Sequence, residues 1–104
     1  MSYRYDVPSQ PEIEQALSEV MHPEINYSLV DLGMVNNLAY EQKKVSLTLK
    51  LPFLQVPVKN LLIESIKKKL SDLDDSIRVE VNVEQMSQEE RDKFASMAKE
   101  GWKF

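Results

Sequence analysis

The chain has 104 residues, no cysteine, and 17 acidic against 13 basic side chains, for a net charge of -4. That length suits one domain (1–104) with a modest core. The missing thiol removes disulfides, thiolate zinc sites, cysteine-held clusters and cysteine nucleophiles from the chain's own repertoire. The acidic balance argues against a nucleic-acid or membrane surface. No apolar run suits a signal peptide or a membrane span, so the expected setting is soluble and cytoplasmic.

The residues through Pro8 read as a lead-in. Ser9 and Glu12 have the spacing of a capping box, with Pro11 in the first turn, where its missing N–H costs nothing. Ile13, Ala16, Leu17, Val20 and Met21 follow at helical spacing and form one apolar face. Pro23 is expected to end this helix, because a proline drives its predecessor out of the α region. Residues 25–32 are too apolar for a solvated linker. Ser28 and Asp31 suit a turn whose backbone donors they can bond. Gly33 suits a positive φ before the chain extends.

A strand is expected over 34–40, with Met34, Leu38 and Tyr40 of one parity and Asn36 breaking the alternation. Glu41 to Lys44 make a polar turn. Val45, Leu47, Leu49 and Leu51 then alternate with Ser46, Thr48 and Lys50 in the clearest period-two pattern of the chain, paired with its predecessor as a hairpin. The two prolines of 52–57 require a loop, and Pro57 suits the first position of a second helix. Val58, Leu61, Leu62, Ile66, Leu70 and Leu73 give that helix its core face. Lys67, Lys68 and Lys69 read as a solvated, dipole-complementing end. Val79, Val81 and Val83 mark a third strand. Ser87 and Glu90 repeat the capping spacing and open a last helix (about 88–100), thin in apolar residues, with Gly101 as its stop. The implied fold class is α+β: a two-layer sandwich in the order α-β-β-α-β-α, with a three-stranded mixed sheet and the helices on one face. The core spans about 9–84.

His22 is the only histidine. It reads as a metal ligand or acid–base group with Glu24 and Asp31, or, with less demanded, as a helix C-terminal residue complementing the dipole. Asp31 reads first as a turn former. Phe53, Leu54 and Val56 read equally as an exposed apolar loop for a partner and as a loop folded over the sheet edge. No glycine precedes the second helix, which excludes a phosphate loop or a KH-type nucleic-acid loop there.

A proline–glutamate pair closes the first helix. The string Ser28-Leu29-Val30-Asp31-Leu32-Gly33-Met34-Val35 follows, then a hairpin, a proline loop opening a helix, and a valine-rich strand. This succession, over residues 13–83, resembles the metal–sulfur (iron–sulfur) cluster assembly domain family. That family includes PaaD proteins, stand-alone assembly factors and the N-terminal domain of Mrp-type P-loop ATPases. Two departures stand out. The family's usual Asp-Pro-Glu is His22-Pro23-Glu24 here. The cysteine that many members carry before the proline of helix two is Val56. The resemblance implies a role in cluster assembly or metalloprotein maturation. With valine in place of the family cysteine, the cluster-ligating role is not carried over, and the expectation is an accessory or adaptor protein, neither an enzyme nor a holder of a metal, cluster or other cofactor. The implied interaction surface is His22, Glu24, Asp31, Phe53, Leu54, Gln55 and Lys59. The implied partner is a P-loop ATPase or cluster scaffold, with a homodimer as a further option. The alternative reading is a metal-binding protein or small enzyme using His22, Glu24 and Asp31.

Overall fold

The structure is a computed structural model that describes residues 8–103. Most of the expected lead-in lies outside the described residues. Pro8 itself is buried, and its carbonyl accepts a hydrogen bond from the Tyr40 hydroxyl at 2.7 Å. Six elements follow: α1 (Gln10–Ser18), β1 (Val35–Glu41), β2 (Lys44–Leu51), α2 (Lys59–Leu73), β3 (Arg78–Gln85) and α3 (Gln88–Gly101). The order is the expected α-β-β-α-β-α, and the three strands form one mixed sheet in the order β1-β2-β3.

β2 is central because it is apolar along one full face. Val45, Leu47, Leu49 and Leu51 are all at most 1% exposed, and burying each contributes about 2 kcal/mol. On one side it pairs antiparallel with β1 across the turn at Gln42 and Lys43; on the other it pairs parallel with β3 over eight consecutive residues. The broken alternation around Asn36 is a β-bulge between Asn36 and Ala39, with Asn37 at φ +53°. Asparagine tolerates that region better than most residues.

α1 and α2 cover the apolar face with Ile13, Ala16 and Leu17 from one and Leu62, Ile66 and Leu70 from the other. Both expected capping boxes are present. Glu12 N–H donates to Ser9 Oγ and Glu90 N–H to Ser87 Oγ, while each glutamate accepts from its serine's backbone N–H.

Four local expectations are corrected. α1 ends at Ser18, before the proline, because the chain turns to pair Met21 with Ser28; Val20 stays in the core and Met21 is 45% exposed. α2 begins two residues after Pro57. Its buried stripe is narrower than expected, with Leu61 and Leu73 exposed. The lysines sit before its last turn, where Lys69 reaches across to Glu19, the C-cap of α1, at 2.7 Å.

Candidate functional site between two loops

The first loop, 20–34, is built by its backbone. Leu29 N–H donates to the Val20 carbonyl and His22 N–H to that of Tyr27, forming a short antiparallel bridge. A single turn follows in which Leu32 N–H bonds the Ser28 carbonyl and Asp31 N–H bonds Ser28 Oγ at 3.0 Å. Gly33, at φ +76°, then sends Met34 N–H back to the Leu29 carbonyl. The turn former is thus buried Ser28. Asp31 is exposed, and among the described residues its carboxylate accepts no backbone N–H; its own N–H bonds Ser28.

His22 is 4% exposed, and its Nδ1 accepts the Glu24 backbone N–H at 3.0 Å. An imidazole accepting at Nδ1 is neutral and carries its proton on Nε2. Burial holds its pKa below the ordinary histidine value; the Glu24 carboxylate opposes this, and Lys103 adds to it. The dipole-complementing role is therefore corrected. The residue lies four positions past the end of α1 and is held uncharged.

The second loop, 52–58, faces the first across a pocket of about 260 Å³. Ile25 and Met34 form one wall, and Pro52, Val56, Pro57 and Val58 another. His22 and Glu24 supply the polar rim, and Phe94, Ala98 and Trp102 close the third side. The last three stand at i, i+4 and i+8, the face of a helix. That spacing was the available sign that α3 belongs to the site. The end of α3 is also bound to the first loop. Asn26 N–H donates to the Gly101 carbonyl at 2.6 Å, Lys103 N–H donates to that of Glu24, and Ile25 bridges Trp102. The Tyr27 hydroxyl hydrogen-bonds Glu100, which raises its pKa. Gly101 is needed for close approach: a Cβ there would stand 2.8 Å from the Tyr27 ring.

The other anticipated residues divide. Phe53, at 62% exposure, and Leu54, at 46%, lie outside the pocket, as does exposed Gln55. Lys59 is half-buried at the first position of α2. Phe53 carries the Arg91 guanidinium 5.7 Å above its ring. Val56 is half-buried against the core, so the loop is exposed at its tip and folded back at its end. Asp31 is not part of the pocket, and no cluster of three metal-ligating side chains occurs among the described residues. His22, Glu24 and Asp31 thus form no ligand set. With no thiol in the chain and the lone imidazole's Nδ1 engaged, the pocket lining does not fit an iron–sulfur cluster. A larger open groove of about 600 Å³ between α1 and α2 holds the Glu19–Lys69 ion pair and touches neither loop. No helix among the described residues is long and apolar enough to cross a membrane.

A family model described as an iron–sulfur cluster assembly protein matches residues 10–83. The chain is 30% identical over 83 residues to an iron–sulfur cluster carrier protein of Mycobacterium leprae. That match takes in 79% of this chain and 22% of the relative, so the chain spans under a quarter of that protein's length. It is 28% identical over 85 residues to the Fe-S protein maturation auxiliary factor YitW of Bacillus subtilis, covering 81% of this chain and 83% of that one. The crystal structure of a domain of unknown function, DUF59, from Bacillus anthracis superposes with a TM-score of 0.68. It has 23% identity and covers 86% of this chain and 87% of its own, which bears on the fold alone.

Proposed function

The chain belongs to the iron–sulfur cluster assembly protein family, and from that premise we propose that it is a non-catalytic, cytoplasmic adaptor in cluster assembly or metalloprotein maturation. In this reading it binds a protein partner, a P-loop ATPase or a cluster scaffold, and leaves the cluster, which is cargo, on that partner. The observation that carries the reading is the pairing of a thiol-free apolar pocket with an exposed Phe53–Leu54 tip on the adjoining loop. A cluster holder needs thiolate or imidazole ligands converging on one point. A recognition surface needs exposed aromatic and aliphatic anchors beside a concavity, which this loop pair has. The carrier and maturation-factor relatives point to the same process.

The test has two arms. The pure chain, reconstituted with iron and sulfide, is expected to develop no stable cluster absorbance; a stable cluster would overturn the cargo-free part. Purified carrier ATPase and scaffold from the same cell are then titrated with wild type and with Phe53→Ser/Leu54→Ser. Loss of two exposed anchors is expected to weaken binding at least about tenfold with the melting temperature unchanged. Equal binding by the variant, or no binding of wild type to either protein, would refute the adaptor surface.

A further inference from the structure

The sheet ends in two unlike edges. The outer edge of β1 is interrupted by the bulge at Asn36–Ala39 and by Asn37 at positive φ, devices that blunt an edge against further pairing. The outer edge of β3 has neither. Its eight residues run in unbroken register against β2, they contain no proline, and no strand pairs with their other side among the described residues. Among the described residues α3 is not one of the elements packed closely on β3, and its Phe94 and Ala98 face the two loops.

The exposed groups on that edge can be assigned. Arg78 N–H bonds the Lys43 carbonyl and Met86 N–H that of Leu51, so the even-numbered residues direct their backbone groups at β2. By alternation, Val79, Val81 and Val83 direct theirs outward. A second antiparallel strand must therefore bond those three. If that strand is another β3, the candidate two-fold registers centre on residue 80, 81 or 82. Centring on 82 sets Glu80 against Glu84 of the second copy, and centring on 80 sets Glu80 against itself. Centring on Val81 sets Arg78 against Glu84 at both ends, Glu80 against Asn82, and valine against valine on the core side. Arg78 and Glu84 are both exposed, and among the described residues neither is in a salt bridge; Lys50, across the strand from Glu84, is bound to Glu90. Opposite charges directly across a strand pair stabilise it, and like charges oppose it.

We propose that β3 is a homodimerisation edge, at which two copies join antiparallel about Val81 to make one continuous sheet, locked by two Arg78–Glu84 pairs. The partner is a second copy of this chain because the charge pattern is complementary to itself in that one register. The contact is small, which places its dissociation constant in the range of about 1–100 µM. This inference stands apart from the adaptor reading, because it uses neither loop.

Sedimentation equilibrium of the full chain, from about 1 µM to about 1 mM, is expected to show the mass doubling with concentration. Arg78→Glu and Glu84→Arg each place like charges at both ends and are expected to remain monomeric. An equimolar mixture of the two variants restores opposite charges at both ends and is expected to dimerise. Val81→Pro removes the outward N–H along with a half-buried valine side chain, and is expected to be monomeric while keeping a folded circular dichroism spectrum. A wild type that stays monomeric throughout, single charge variants that dimerise like wild type, or a mixture that stays monomeric would each overturn the proposal.

Discussion

His22 shows how one side chain can carry opposite meanings at two levels of description. As the only histidine, beside a glutamate, it reads as a metal ligand or a charged helix end. In the fold it is a neutral acceptor that fixes the Glu24 backbone. Its pKa lies below the ordinary 6.5 in the folded chain, so the unfolded chain binds the proton more readily. Stability from this group is therefore complete above about pH 6.5 and is lost as pH falls through the folded value, by at most about 1.4 kcal/mol per pH unit. His22→Asn keeps an acceptor near the Nδ1 position and removes the titration. Urea unfolding at a series of pH values below 6.5 is expected to give a flatter profile for the variant; equal slopes would show that His22 contributes no linkage. Ser28 and Asp31 divide differently from the sequence reading. Ser28→Ala removes a buried hydroxyl that accepts the Asp31 N–H and is expected to cost about 1 kcal/mol. Asp31→Ala, at an exposed carboxylate, is expected to stay within about 0.5 kcal/mol of wild type. Chemical denaturation of both variants at neutral pH checks the pair.

Among the elements, legibility followed locality. The Ser9–Glu12 and Ser87–Glu90 boxes and the four inward residues of β2 were readable because each depends on neighbours a few positions away. The end of α1 was misplaced because it depends on Ser28, which captures Met21 from seven residues on. The β1 bulge had only the irregular Asn36 to announce it. The hairpin turn is the least adapted element. Gln42 at φ +52° and Lys43 at φ +63° both occupy the left-handed region that Asn-Gly favours in a two-residue turn. Replacing them as Gln42→Asn/Lys43→Gly is expected to stabilise the domain by about 1 kcal/mol, or roughly 4–8 °C in Tm, although it gives up the long Lys43–Asp74 contact at 3.8 Å. Scanning calorimetry checks this, and a fall in Tm would show that the lysine contact outweighs the backbone strain.

In the whole molecule, α3 stands apart. The family match stops at Val83, before α3 begins. None of the residues of α3 is fully buried, yet it closes one side of the pocket. It is held at its start by Lys50–Glu90 at 2.8 Å and at its end by the first loop. The site was only half legible for this reason. Both loops were visible in the sequence, but the wall between them comes from the far end of the chain, with Tyr27 and Glu100 73 positions apart. It is tied to the first loop through backbone bonds that the spacing of Phe94, Ala98 and Trp102 does not specify. Gly101→Ala is expected to push the Tyr27 ring off the helix end and cost about 1–3 kcal/mol. Hydrogen exchange should speed up at the Asn26 and Lys103 amides while the β2 amides hold. Unchanged protection at Asn26 would show that the ring yields without releasing the helix.

The central strand also dictates an order of events. β2 has one partner joined to it by a two-residue turn and another that arrives only after the whole of α2. Closing the short loop costs far less entropy than closing the long one. The hairpin should therefore form while the opposite side of β2 is still bare. On a ribosome, where β2 emerges well before β3, Val45, Leu47, Leu49 and Leu51 are then displayed on a half-finished ribbon. The stretch that holds the mature domain together is for that interval its most adhesive surface, and the natural place for a chaperone to act.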